Sequence, residues 1–198
     1  MERVRTTEAG RHVGEEVLLR GWLHQFRQLG KVNFLIVRDG WGTFQALVDD
    51  PATLADLQGA AAAPLFPGTI AMLDVLGRHD DLLLGVATGK SRRGLDRVLD
   101  LHDLRGRFVT TQVADDHPSK PHPAMVLAAL DAVGCRPGDA VMIGDTAFDM
   151  DMARAAGVAT IAVSWGYHPV DRLEAAAPDV MVHDMAALAE TVAETLGL

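Results

Sequence analysis

The chain has 198 residues, a formal net charge of −9 and one cysteine, Cys135. The length allows one or two domains with a sizeable core, and a lone cysteine excludes an internal disulfide and fits a reducing compartment, the cytoplasm. The longest apolar runs are strand-sized, which excludes a membrane-spanning helix, and the charged start Met1-Glu2-Arg3-Val4-Arg5 lacks the apolar core of a signal peptide. Charge is uneven: residues 1–48 carry seven Lys/Arg against five Asp/Glu, and the rest of the chain is strongly acidic. So mildly basic a head falls far short of a nucleic-acid-binding patch.

The first fifty residues read as β structure. Val17 to His24 alternate roughly, Val32 to Val37 form a continuous apolar run, and Thr43 to Val48 make a third candidate strand. Gly30-Lys31 and Asp39-Gly40 supply the turns. A short helix is expected over Pro51 to Gln58. The low-information stretch Gly59-Ala60-Ala61-Ala62-Ala63-Pro64 marks a seam, dividing the chain into 1–63 and 64–198.

Beyond the seam helices and strands alternate, the mark of a parallel sheet with helices on its faces. Helices are expected over 68–78, 91–101, 122–133, 147–156, 170–177 and 184–196. Strands are expected over 82–87, 108–113, 140–143 and 158–163, with a short one near Val180. Runs such as Leu82-Leu83-Leu84-Gly85-Val86-Ala87 are apolar on both faces, as a covered sheet demands.

Three strand ends carry chemistry. Thr88-Gly89-Lys90-Ser91 offers a hydroxyl and main-chain amides at a helix start, a setting that favours phosphate. Lys120, between Ser119 and Pro121-His122-Pro123, puts a cation before the next helix, where it can neutralise a transferring phosphoryl group. Asp145 and Asp149 follow the strand Val141-Met142-Ile143 and supply two carboxylates four residues apart, suited to a hard cation such as Mg²⁺. Their plainer reading is structural, with Asp145 as helix cap and Asp149 as first-turn acid. No His pair has zinc spacing.

In this order and spacing the set resembles the haloacid dehalogenase (HAD) superfamily, in its phosphoglycolate-phosphatase-like branch, over about residues 64–198. The resemblance implies a three-layer Rossmann-like α/β core with a parallel sheet. It makes Thr88 and Gly89 phosphate binders, Lys120 the catalytic lysine, and Asp145 with Asp149 the acidic pair that helps hold Mg²⁺. The implied reaction is phosphomonoester hydrolysis on a phosphorylated small molecule. Leu65-Phe66-Pro67-Gly68 looks like the stretch that re-enters the core after a cap domain, and Ser164-Trp165-Gly166-Tyr167-His168 like the loop that closes the site. The family's N-terminal Asp-x-Asp-Gly-Thr, which provides nucleophile and general acid/base, does not occur in the chain, nor does the cap. The implied phosphatase is therefore impaired or inactive.

Residues 3–50 are similar to the OB-fold anticodon-binding domain of aspartyl- and asparaginyl-tRNA synthetases, through Gly21-Trp22-Leu23-His24, Leu29 to Leu35, Arg38-Asp39, Gly42 and Gln45. That resemblance implies single-stranded RNA as partner, with Phe34 stacking and Arg27 and Gln45 holding the strand. Only three of the five barrel strands are visible, so the OB-like segment is an incomplete barrel. A HAD sheet without its first strand has a vacant slot beside strand 82–87. If Val32–Val37 filled it in parallel, Asp39, within Asp39-Gly40-Trp41-Gly42-Thr43, would emerge at the catalytic end as nucleophile. Open strand edges otherwise call for cover, such as another copy of the chain.

Overall fold

The computed structural model describes residues 3–19, 21–29, 32–38, 41–51, 53 and 64–198. The chain forms two compact units, Met1–Ala62 and Ala63–Leu198.

In the first unit β1 (Arg3–Val4) pairs in parallel with β2 (Leu18–Leu19), and β3 (Trp22–Leu29), β4 (Val32–Arg38) and β5 (Thr43–Val48) make an antiparallel meander. The β5 side chains alternate between exposed and half-buried, as one-sided cover requires. The guanidinium of Arg5 lies over the Trp41 ring, 4.7 Å from its centroid. Among the described residues these strands do not close into a barrel. The helix expected over 51–58 lies almost wholly outside them.

The second unit alternates helix and strand: α1 (Thr69–Leu76), β6 (Gly85–Thr88), α2 (Arg92–Leu101), β7 (Thr110–Val113), α3 (Ala124–Val133), β8 (Val141–Gly144), α4 (Ala147–Ala155), β9 (Ala159–Val163), α5 (Val170–Ala175), β10 (Val180–Val182) and α6 (Met185–Leu196). All strand pairs are parallel, and helices cover both faces. Leu76 of α1 and Leu188 and Val192 of α6 pack against Ile161 and Val163. Met125 and Val126 of α3 and Met152 of α4 form a second cluster with Met142 and Ala87 against it, and Ala162, between Ile161 and Val163, meets Met150 and Leu173. Successive β9 residues thus feed opposite layers. No helix among the described residues is long and apolar enough to cross a membrane.

Among the described residues the sheet consists of the block β6-β7 and the block β8-β9-β10, with a gap beside β6 where the sequence leaves a slot vacant. One expectation needs correction. The strand expected over 82–87 is shorter, Gly85–Thr88. Its partner β7 begins only at Thr110, so upstream pairing stops at the bond from Val109 N–H to Leu84 O. Leu82 and Leu84 instead pack against the α1/α6 cluster.

Ile161 is fully buried at the centre of the β8-β9-β10 block. Ile161→Ala should lower stability by about 2–5 kcal/mol, read as a fall in urea midpoint at unchanged m-value.

Candidate functional site

The candidate site gathers where β6 and β8 end. β8 stops at Gly144, and Asp145 and Thr146 lead into α4. The helix is capped by Thr146, not by Asp145. Asp149 N–H donates to Thr146 Oγ1 (3.2 Å), and Asp149 Oδ2 accepts from Thr146 N–H (3.0 Å) and Oγ1–H (2.6 Å), a reciprocal capping box. The structural reading of Asp145 as cap therefore does not hold, and its carboxylate has another use.

Lys120 reaches across the break in the sheet. Its Nζ donates to Ala87 O at 3.0 Å, one residue before Thr88, and to Asp149 Oδ1 at 2.5 Å. The Lys120 side chain is 19% exposed and that of Asp149 5%, so water screens the pair little. Both Asp149 oxygens are engaged. The Thr88 hydroxyl accepts from Lys90 N–H (3.2 Å), Ser91 caps α2, and a Cβ on Gly89 would meet no atom within 4 Å. The turn after β6 is thus preorganised beside open space.

Asp145 is held by the loop after β9. Tyr167 N–H donates to its Oδ2 (2.8 Å), and His168 N–H donates to its main-chain oxygen (3.1 Å). Burial, then the nearby Asp149 carboxylate, push the Asp145 carboxyl above its ordinary range, against a smaller opposing effect of the Tyr167 N–H. Such a carboxylate gains from a bound cation.

Sequence reasoning missed two glycines and the role of one histidine. A Cβ on Gly166 would lie 2.1 Å from Asp145 Cβ, and one on Gly144 2.3 Å from Asp149 Cβ. Only glycine lets each aspartate approach so closely. Close approach is a tertiary fact, and a glycine beside a strand end was its only signal. His168, 1% exposed, accepts the Ala147 N–H on Nδ1 at 2.9 Å, next to the Phe148 ring. Burial, then Arg172, lower its pKa to about 4.

Thr88, Gly89, Lys120, Asp145 and Asp149 therefore converge. Arg27, Phe34, Gln45 and Asp39 belong to the other unit. There the register sets Arg27 opposite Phe34, Phe34 opposite Leu47, and Gln45 opposite Ile36. Phe34 is half-buried and Gln45 exposed. Asp39 lies outside the described residues. The parallel insertion expected of Val32–Val37 finds no edge: β4 is paired along both sides, antiparallel to β3 and β5. No cluster of three or more acidic, histidine or cysteine ligands occurs among the described residues.

A family model for haloacid dehalogenase-like hydrolases matches residues 53–163, a span that contains Thr88, Lys120, Asp145 and Asp149. The chain belongs to that family. It is 39% identical over 120 residues to a protein of Dickeya dadantii named "Probable phosphatase IndB", covering 60% of this chain and 51% of that one. A crystal structure of a predicted phosphoglycolate phosphatase from Haemophilus somnus aligns with a TM-score of 0.63 at 22% identity, over 70% of this chain and 62% of that chain, a likeness of fold. A further match, 47% over 57 residues, is to an asparagine–tRNA ligase of Pelotomaculum thermopropionicum, covering 29% of this chain and 13% of that protein. The chain spans about half the length of the curated phosphatase relatives it matches.

Two predictions follow from the loop that holds Asp145. Gly166→Ala should displace the loop by about an ångström or more, and so weaken any ligand binding at Asp145 by about tenfold or more, measured by calorimetry with phosphate and Mg²⁺. The second concerns acid. Protonating His168 would turn Nδ1 from acceptor to donor against the Ala147 N–H. Its folded pKa, about 4, lies below the unfolded value of 6.5. Its contribution to stability is therefore complete above pH 6.5 and lost as pH falls through about 4. Thermal melts of His168→Gln should lose that part of the acid sensitivity between these limits. An unchanged slope would show that His168 is not its source.

Proposed function

We propose that the second unit is the phosphate- and metal-binding part of a Mg²⁺-dependent phosphomonoester hydrolase, acting on a phosphorylated small molecule with impaired turnover. The observation that carries this reading is the convergence of the Thr88 turn, Lys120 and a half-buried Asp145 whose carboxyl is pushed above its ordinary range, at the ends of β6 and β8. The donor set fits Mg²⁺ in part: an octahedral ion needs only one or two protein carboxylates and keeps several waters. Asp145 supplies an oxygen. Asp149, tied to Lys120 and to the cap, adds negative charge and fixes the lysine. When bound, the ion would supply charge neutralisation at a phosphoryl oxygen. The chain's own residues would do the rest. Amides after Thr88 and the Thr88 hydroxyl would bind phosphate oxygens, and Lys120 would face the developing charge. The missing Asp-x-Asp-Gly-Thr supports impairment, since general acid/base help is worth about 10²–10⁴ in rate.

A second reading is favoured by the asparagine–tRNA ligase match: the first unit binds single-stranded RNA through the face that carries Phe34 and Gln45. Salt-sensitive binding of an unpaired oligonucleotide, weakened in Phe34→Ala, would support it.

The test combines binding with turnover. Mg²⁺ should raise the melting temperature of the parent chain, and inorganic phosphate should bind more tightly with Mg²⁺ than without. Asp145→Asn should melt higher than the parent in the absence of metal, because a half-buried charge beside Asp149 is removed, and lose the Mg²⁺ response. Lys120→Ala should weaken phosphate binding by about tenfold or more. Aryl-phosphate hydrolysis should remain at or near background. A fall to background in Asp39→Asn from any residual rate would assign the attack to Asp39, and an unchanged rate would remove it. No Mg²⁺ response and no phosphate binding in the parent would overturn the reading.

A further inference from the structure

The loop that carries Lys120 is tied at its root to the turn after β6. The β6–β7 ladder ends with Thr88 opposite Val113, and the bond from Ala114 N–H to Lys90 O (3.1 Å) extends it one step into the loop. Arg92, the first residue of α2, grips the same stretch with both main chain and side chain. Its N–H donates to Asp115 Oδ2 (2.8 Å), Nη1 donates to Thr111 Oγ1 (2.7 Å), and Nη2 donates to Thr111 O (2.8 Å) and Asp116 Oδ2 (3.4 Å). The Asp116 contact joins side chains 41% and 58% exposed and contributes little. The two Thr111 bonds are partly buried and use the planar fork of a guanidinium, which a lysine ammonium does not reproduce. On its far side the loop is fixed at the start of α3, where His122 N–H donates to Ser119 O and His122 Nδ1 accepts from Ala124 N–H.

We propose that Arg92 is a positioning residue for Lys120: by locking residues 111–116 to the start of α2, it fixes the spacing between the lysine and the Thr88 turn. Lys120 meets Ala87 O and Asp149 Oδ1 at the tip of a long side chain. Such a chain has much rotamer freedom to lose, so its ammonium stays on target only if its main-chain root is held. Arg92 supplies that hold from the segment that also carries Thr88 and Gly89. Its guanidinium is spent on Thr111 and Asp116, and it acts through the loop rather than on a ligand. Its main-chain N–H keeps the Asp115 carboxylate at the N-terminus of α2, where the helix dipole favours it. Thr88 and Lys120, which come from different crossovers, are thereby made one body. The consequence for phosphate rests on the function proposed above; the hold on Lys120 does not.

Two measurements on the full chain separate these parts. The first needs no ligand: acetylation by acetic anhydride, read at each lysine by mass spectrometry, with exposed Lys90 as reference. Arg92→Ala should raise the rate at Lys120, relative to Lys90, by about fivefold or more. Arg105→Ala, which breaks a pair with Asp100 and leaves the loop's bonds in place, should not change it. The second is calorimetry with inorganic phosphate and Mg²⁺ on the parent, Arg92→Ala, Lys120→Ala and the double variant. Arg92→Ala should weaken binding about fivefold or more when Lys120 is present, and less than about twofold when it is already gone. A merely structural residue would cost the same in both backgrounds. If Arg92→Ala fails to fold, Thr111→Val takes its place: it removes the hydroxyl acceptor and should also raise the Lys120 rate. An unchanged Lys120 rate, an equal rise in Arg105→Ala, or equal losses of phosphate affinity in both backgrounds would overturn the proposal. A raised Lys120 rate together with a parent that binds no phosphate would support the hold on Lys120 and overturn only the phosphate reading.

Discussion

The bond from Lys120 to Asp149 holds the second unit's chemistry in place, because it crosses the break in the sheet. One end of the lysine is anchored on Ala87 O of β6 and the other on the first turn of α4 beyond β8. An ammonium and a carboxylate so little exposed are costly to desolvate and remain favourable only while paired and hydrogen-bonded. Here the pairing is over-determined. The second oxygen of Asp149 is fixed by Thr146 through its amide and hydroxyl, so the carboxylate cannot turn away, and the lysine is held where the two strand ends meet. The same contacts that cap a helix therefore set the position of a cation at the site.

With Asp149 tied up in this way, Asp145 is the acid whose charged form is disfavoured. Burial and its neighbour raise its pKa, and the main-chain N–H groups of Tyr167 and of Asp145 itself, with the charge of Lys120, compensate only in part. Gly144 and Gly166 allow this crowding, since a methyl group at either position would overlap an aspartate side chain. His168 closes the arrangement from behind, its Nδ1 taking the Ala147 N–H at the first turn of α4 and its own N–H reaching Asp145 O. A neutral imidazole is required there, because a second donor would face the amide. The Asp145 carboxyl is thus held in a setting that disfavours its charge, made by residues that crowd and orient it.

Much of this was legible in the sequence, and what was not has a common cause. Thr88, Lys120, Asp145 and Asp149 could be picked out because each follows an apolar run or precedes a helix, and parallel sheets bring strand ends together. The helix and strand order of the second unit followed from the same periodicity. The wrong element bounds lie where pairing, not composition, decides: Leu82-Leu83-Leu84 is as strand-like as any run in the chain, yet among the described residues no strand extends beside it. The choice of Thr146 over Asp145 as cap depended on a one-residue offset that composition does not fix, since both residue types cap well. Gly166 and His168 were visible only as parts of a loop, because their roles consist of contacts with residues about twenty positions away.

At the break in the sheet, cover by helices and pairing in the plane part ways. A run that is apolar on both faces announces a covered strand, and Gly85–Thr88 and Val141–Gly144 are covered above and below by helices. Among the described residues their inner edges are not covered by a neighbour in the plane. An uncovered edge beside exposed leucine and valine is ordinarily a route to aggregation, and the usual devices against it, charge or proline on the edge strand, are missing from Gly85-Val86-Ala87-Thr88 and Val141-Met142-Ile143-Gly144. What holds the two blocks in register is the packing of α3, whose Val126 and Leu130 lie in one cluster with α4 while Ala87 and Met142 rest against it, and the Lys120 bridge at the mouth. Both constraints act from outside the gap. They keep two parallel edges aligned at their ends while leaving the space between them open. The geometry at the strand ends, on which the proposed phosphate and metal binding depends, is thus set from outside the gap.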